Sequence, residues 1–223
     1  MADDLSRMPP WPRFLRAALR VAMRLVFRPR VVGTAPSLGP YLIVANHRSW
    51  LDGFMLLSEL PAEPRLYFFA DWNATAGSWW KRLIIGSLGA FVLVDRRAAF
   101  DRSAVADTLK LLGQGGVLVF FPEGLPAHDE ERVDPFRRGV GFLALRAKVP
   151  VVPIWMRGTG ELYLGREVLA KIGVPVSVPD LEPNKENTER VAAWLREEVL
   201  KLGDPWVEPQ VAKKRLRWLT HLF

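Results

Sequence analysis

The sequence predicts one α/β domain, a mixed and largely parallel sheet covered by helices, with an amphipathic membrane-interface helix at its amino-terminal end. Three observations carry this. Short apolar runs at 41–45, 65–70, 91–94, 117–121 and 151–156 alternate with stretches of helical period at 98–114 and 136–147. Strands that alternate with helices build layered, largely parallel sheets. The 223 residues suffice for one sizeable core, and no internal repeat or low-complexity linker divides them.

Along the chain, residues 11–28 read as a helix in which Arg13, Arg16, Arg20, Arg24 and Arg28 share one side, within an arc of roughly 120° at helical period. Phe14, Leu15, Ala18, Val21, Ala22, Leu25 and Val26 take the other side. A basic stripe opposite an apolar one suits a helix lying in an anionic headgroup layer; a solvated helix packed on its own domain has the same pattern. The run at 41–45 reads as a buried strand ending at a polar loop, followed by a helix over 51–60 that Pro61 stops. A last strand is expected at 173–178, then a charged amphipathic helix over 186–202 after Pro183-Asn184. The expected organisation is 1–30 as the interface helix, 31–202 as the catalytic domain and 203–223 as a basic, aromatic tail. That tail is a second interfacial element or a helix docked on the domain.

Composition narrows the function classes. With no cysteine, disulfide scaffolds, thiolate zinc sites and cysteine nucleophiles are excluded, and a cytoplasmic setting fits. The net charge of +7 favours a polyanionic partner, whether phospholipid, nucleic acid or phosphorylated substrate. Nine tryptophans and twelve phenylalanines lean toward lipid, because amphipathic rings settle at the headgroup level. No apolar run reaches the roughly 18 residues of a spanning helix, so bilayer contact would be interfacial. A secretory pattern is missing because arginines interrupt the apolar residues of 13–30 rather than precede them.

The chemistry concentrates in three segments. In Asn46-His47-Arg48-Ser49-Trp50-Leu51-Asp52, a histidine and an aspartate five residues apart would stand about 140° apart on an ideal helix. They can meet only if His47 precedes the helix or distorts its first turn. Asp52 would then hold the imidazole in one tautomer while the other ring nitrogen takes a proton from an attacking hydroxyl. Ser49 lacks the surroundings of a nucleophile elbow. Phe120-Phe121-Pro122-Glu123-Gly124 sets a carboxylate on a tight turn after a strand, where α/β folds place ligands. Arg96 and Arg97, at the end of the 91–94 strand, can fork onto a phosphate.

Read together, these segments give the chain a resemblance, from about 31 to 179, to the 1-acyl-sn-glycerol-3-phosphate acyltransferase family of membrane-associated acyltransferases. That family carries an N-H-x-x-x-x-D block, a glycine-to-arginine block, an F-P-E-G block and a V-P-[VI]-x-P block in this order. They match residues 46–52, 89–96, 121–124 and 149–154, and Pro135-Phe136-Arg137-Arg138-Gly139 is also family-like. The resemblance implies a glycerolphosphate-acyltransferase-like fold, His47 as general base and Asp52 as its orienting partner. It further implies Arg96 as an acceptor or phosphate contact, Glu123 and Gly124 in the acceptor site, and a proline block that shapes the cleft. It implies direct attack by the acceptor on an acyl thioester of coenzyme A or acyl carrier protein, with no metal or other cofactor. Members often continue F-P-E-G with Thr-Arg-Ser, whereas Leu125-Pro126-Ala127 follow here. Either Arg96, Arg97, Arg137 or Arg138 then supplies the missing cation, or the acceptor carries another headgroup.

The expected function is acylation of a lysophospholipid, 1-acyl-glycerol-3-phosphate giving phosphatidic acid, on the cytoplasmic face of an anionic phospholipid membrane. Oxyanion donors are expected among backbone N–H groups of the 47–52 or 121–124 turn. The alternatives are another lyso-lipid or amine-containing lipid acceptor, and a non-catalytic lipid-binding peripheral protein. No nucleic-acid partner is expected, since the basic and aromatic residues fall in no reading motif.

Overall fold

A computed structural model describes residues 8–71, 86–87, 91–94, 102–205, 207–208, 210–211 and 213–222. The described residues form seven strands, β1 (Arg28–Val32), β2 (Tyr41–Ala45), β3 (Leu66–Asp71), β4 (Phe91–Val94), β5 (Val117–Phe120), β6 (Val151–Arg157) and β7 (Glu167–Ile172). They form one sheet in the order β1-β7-β6-β2-β5-β3-β4. All neighbours are parallel except β6 and β7, so β1 and β7 run against the other five.

Two apolar layers cover the sheet. Tyr41, Ile43 and Ala45 of β2 join Met55 and Leu56 of α2 (Leu51–Glu59) and Met23 of α1 (Pro10–Val26) on one face. Leu42 and Val44 join Leu111 of α3 (Arg102–Gly113), Val140 of α4 (Arg138–Ala147) and Leu195 of α5 (Lys185–Leu200) on the other. All five β2 residues are buried, as expected of a central parallel strand covered on both faces. Where α4 crosses α5, a Cβ on Gly141 would stand 2.0 Å from the Thr188 carbonyl oxygen, so any side chain there would force the helices apart.

Pro153 lies inside β6, where a missing N–H would normally break a ladder. Its carbonyl accepts from Gly173 N at 2.8 Å, which puts its donor-less nitrogen at the end of the β6–β7 ladder and not against β2. The strand expected at 173–178 is displaced by this arrangement. The strand is Glu167–Ile172, and of the later segment Val176 alone pairs, in an isolated bridge with Val151. Pro175 and Pro179 cannot donate to a longer ladder. The helix expected over 11–28 ends at Val26, and Arg28 opens β1, an edge strand that the sequence reading did not anticipate.

Leu15, Leu19, Met23 and Val26 of α1 pack against the core, and exposed arginines of the helix pair with acids of the domain: Arg24 meets Glu59 at 3.0 Å, Arg20 meets it at 3.5 Å, and Arg13 pairs with Glu63. Arg16 is buried, with its Nε donating to the Leu57 carbonyl, and burial, with Arg20 beside it, lowers its pKa. Trp11, Phe14, Val21 and Leu25 are exposed. None of the helices among the described residues is long and apolar enough to cross a membrane. The tail docks on the domain through a 3-10 turn, Arg217–His221, where the Trp50 indole N–H donates to the Leu219 carbonyl at 2.9 Å.

Candidate active site

The chain leaves β2 toward α2 on one face of the sheet and leaves β5 toward α4 on the other. Adjacent parallel strands whose connections part in this way open a crevice at their carboxyl ends, where open α/β sheets bind ligands. The loops at this crevice are 46–50 after β2, 121–137 after β5 and, from the other neighbour of β2, 158–166 after β6.

His47 and Asp52 meet there. His47 lies ahead of α2, whose first residue is Leu51, so the mismatch of angles on an ideal helix never arises. The His47 Nδ1 is 2.9 Å from Asp52 Oδ2. The same oxygen accepts the Arg48 N–H at 2.6 Å and the Ser49 N–H at 2.9 Å, while Oδ1 accepts the Thr159 hydroxyl at 2.5 Å. The Asp52 side chain is wholly buried and its position in the first turn of α2 favours negative charge. Since an ionised carboxylate only accepts, Nδ1 carries the proton and Nε2 is the basic nitrogen. The imidazole, about one-fifth exposed, stacks on the Phe121 ring with centroids 4.5 Å apart.

Glu123 supports this turn from below. Its Oε1 accepts the His47 N–H at 2.6 Å and its Oε2 the Asp134 N–H at 2.7 Å. Burial pushes its carboxyl above the ordinary value, opposed by those two N–H bonds and by the nearby charges of Arg48 and His47. Both oxygens are engaged with backbone, so the carboxylate ties β5 to β2 as well as bordering the crevice. Next to it Gly124 has φ of +91°, and a Cβ there would stand 2.6 Å from Arg137 Cζ. The positive φ favours glycine there, and the missing Cβ leaves room for the Arg137 guanidinium to lie across the turn. Arg137 is exposed, and no carboxylate among the described residues pairs with it. Arg138 is exposed at the first position of α4. Arg96 and Arg97 lie outside the described residues.

The Ser49 hydroxyl accepts the Leu51 N–H at 3.2 Å and is wholly buried. The N–H groups of His47, Arg48, Ser49, Leu51, Asp52 and Gly124 all donate within the protein, so these are not free to hold an oxyanion. The segment after F-P-E-G runs beside the dyad, with Ala127 N on the His47 carbonyl at 3.0 Å and His128 N on that of Arg48 at 3.1 Å. His128 Nδ1 lies 3.4 Å from the Gly160 carbonyl.

Sequence reasoning missed the residues that fix these loops. Asn46 continues β2 sideways, its amide bonded to both the N–H and the carbonyl of Met156 at 2.7 and 2.9 Å. Arg48 is wholly buried, donates to the Asp129, Glu130 and Arg132 carbonyls, and lies 5.3 Å from the Trp155 ring centroid. Glu130 accepts Gly158 N and Gly160 N at 2.9 and 2.8 Å. Burial raises its pKa against those bonds. The one signal for Asn46 and Arg48 was their place beside His47; Glu130 and Thr159 carried none.

An imidazole with Nδ1 held by a buried carboxylate and Nε2 left basic can take a proton from a hydroxyl and return it to a leaving group. An apolar cleft of about 240 Å³ lies close by, between α1, α2 and the 3-10 turn. Leu19, Met23, Trp50, Leu51, Phe54 and Leu219 are among its walls.

Known proteins resemble this chain in sequence and fold. The acyltransferase family model matches residues 28–157. The human 1-acyl-sn-glycerol-3-phosphate acyltransferase alpha is 34% identical over 139 residues, covering 59% of this chain and 46% of that protein. The Saccharomyces cerevisiae 1-acyl-sn-glycerol-3-phosphate acyltransferase is 26% identical over 182 residues, 74% of this chain and 57% of that protein. The chain thus spans about half the length of the curated relatives it matches. The crystal structure of the 1-acyl-sn-glycerophosphate (LPA) acyltransferase from Thermotoga maritima superposes with a TM-score of 0.66 at 22% identity, over 88% of this chain and 83% of that one, which establishes the shared fold. With more than half of its length matched by the family model, and with the paired histidine and aspartate at the mouth of the shared sheet, the chain belongs to the acyltransferase family.

Proposed function

We propose that this protein transfers a fatty acyl group from an acyl thioester to the hydroxyl of a lysophospholipid, with 1-acyl-glycerol-3-phosphate as acceptor and phosphatidic acid as product. The observation that carries the reading is the His47–Asp52 pair, closed at 2.9 Å through Nδ1 and leaving Nε2 basic. Nε2 takes the acceptor hydroxyl's proton as its oxygen attacks the thioester carbonyl. The tetrahedral intermediate then collapses, the C–S bond breaks, and the imidazolium returns its proton to the departing thiolate. Base assistance of this kind contributes roughly 10²- to 10⁴-fold. The donor is acyl coenzyme A or acyl carrier protein, and neither a metal nor another cofactor enters the step.

Arg137, across Gly124, is the described cation best placed for an acceptor phosphate, with Arg138 next to it. Arg96 and Arg97 are further candidates, and Glu123 borders the same crevice through its backbone. The apolar cleft beside Trp50 and Leu51 suits an acyl chain. The outward face of α1 supports a membrane-surface setting. Trp11, Phe14, Val21 and Leu25 offer apolar side chains to a bilayer, and the arginines behind them are held by Glu59 and Glu63. The cysteine-free composition fits the reducing, cytoplasmic side of that membrane. A second reading, another headgroup on the acceptor, is favoured by exposed Leu125 at the position where the family resemblance implies a threonine.

The test is an acceptor screen: purified protein, one labelled acyl thioester and a panel of lyso-lipids, with products resolved by mass. Phosphatidic acid as the main product supports the first reading. A different diacyl lipid supports the second, and no acylated lipid from any acceptor overturns both.

A further inference from the structure

Asp52 presents two oxygens, and only one of them serves the histidine. Oδ2 takes His47 Nδ1 and the Arg48 and Ser49 N–H groups, all from its own turn. Oδ1 is bound from across the crevice by Thr159, 107 residues later in the chain, through a hydroxyl 2.5 Å away. Without that bond the carboxylate would be gripped along one edge and free to turn about the bond to its Cβ. A terminal torsion of this type is broad and roughly two-fold. With it, the plane of the carboxylate is fixed, and so is the direction in which Nδ1–H, and hence Nε2, must point.

The loop that carries Thr159 is itself held. Thr159 is wholly buried, with Gly158 N and Gly160 N on either side both donating to the Glu130 carboxylate. The Gly158 carbonyl accepts from Arg166 Nε at 3.0 Å. Arg166, 1% exposed, is held in turn by the Tyr163 hydroxyl at 2.8 Å and by Glu208 of the tail at 2.9 and 3.2 Å. Two glycines leave room for this: a Cβ on Gly158, where φ is +84°, would stand 2.2 Å from the Glu167 carbonyl oxygen, and one on Gly160 would stand 2.7 Å from that of His128. A hydroxyl clamped this firmly against a buried carboxylate does more than satisfy itself.

We infer that Thr159 is a positioning residue of the acyl-transfer site, which sets the plane of Asp52 through Oδ1 and so aims His47. The inference rests on the dyad reading above. It makes the site a chain of three elements, from β6 through α2 to the loop after β2, rather than a local pair.

The test compares Thr159→Val, which keeps the shape and removes the hydroxyl, with Thr159→Ser, which keeps the hydroxyl. Thr159→Val should lower kcat roughly 10- to 100-fold, the worth of one hydrogen bond to a charged group, with KM for thioester and acceptor within about twofold of wild type. Thr159→Ser should recover kcat to within about threefold. The same proteins are read without substrate by proton NMR, following the His47 Nδ1–H resonance, which should move in Thr159→Val and return in Thr159→Ser. An unmoved resonance in folded Thr159→Val overturns the inference even if the wild type proves inactive, a result that would sink the dyad reading separately. Unchanged kcat in Thr159→Val, or failure of Thr159→Ser to recover it, also overturns the inference.

Discussion

Two regions of this molecule break the rule that polar groups lie outside and apolar ones inside, and they break it in opposite directions. At the carboxyl ends of β2, β5 and β6, Asn46, Arg48, Ser49, Asp52 and Thr159 are wholly buried and bonded to one another or to backbone. On the outer side of α1, Trp11, Phe14, Val21 and Leu25 stand in the open. Buried polar residues are tolerated because each makes hydrogen bonds, although the Nε of Arg48 is left without one among the described residues. On the exposed stripe Trp11 and Phe14 stack with centroids 5.9 Å apart, yet all four side chains stay open among the described residues, and such a patch commonly meets another phase or molecule. Under the proposed function, one region supplies the chemistry and the other the address.

Each half of that comparison can be broken. The largest expected effect belongs to the buried side. Asp52→Asn would set an amide NH₂ against donors that now point at a carboxylate, and should lower kcat by roughly 10²- to 10⁴-fold with the fold retained by circular dichroism. On the apolar side, replacing Phe14 and Leu25 together with Ser should weaken sedimentation with phospholipid vesicles at least about tenfold, since each buried side chain is worth about 1.5–3 kcal/mol. In the same assay Arg20→Gln with Arg24→Gln should have a much smaller effect, because those guanidiniums face Glu59. If the arginine pair mattered more than the apolar pair, the assigned orientation of α1 would be wrong.

Glu123→Gln sharpens the contrast between partnered and unpartnered groups. An amide can accept only one of the two backbone N–H groups now held at 2.6 and 2.7 Å. One donor is left facing NH₂, for a loss of about 1–3 kcal/mol in urea unfolding together with a fall in kcat. Equal stability of the variant would show that the two bonds contribute nothing net. The smallest effect is expected at the exposed Arg137: substitution by Ala should raise KM for a phosphate-bearing acceptor roughly tenfold and leave that for a neutral lyso-lipid unchanged. A parallel rise for both acceptors would remove Arg137 from phosphate recognition.

Much of this was legible in the sequence, and the failures share a cause. The strands at 41–45 and 151–156 are near-continuous apolar runs, the form a doubly covered parallel strand takes. His47 and Asp52 were legible because both lie in one short segment after such a strand. The edge strand β1, Arg-Pro-Arg-Val-Val, was not, since charge and proline are how an edge is blunted and they read as loop. The amphipathic pattern of α1 was visible, but the acids that claim its arginines, Glu59 and Glu63, are 35 to 50 residues away. The same holds for Asn46, whose partner Met156 is 110 residues distant, and for Thr159. Local periodicity carries no record of such pairings.

The central claim is that His47 is the base for acyl transfer. Purified wild type and His47→Ala, given the same labelled acyl thioester and 1-acyl-glycerol-3-phosphate, should differ in initial rate of phosphatidic acid formation by roughly 10²-fold or more, with matching circular dichroism. A His47→Ala protein that formed phosphatidic acid at the wild-type rate would contradict the account.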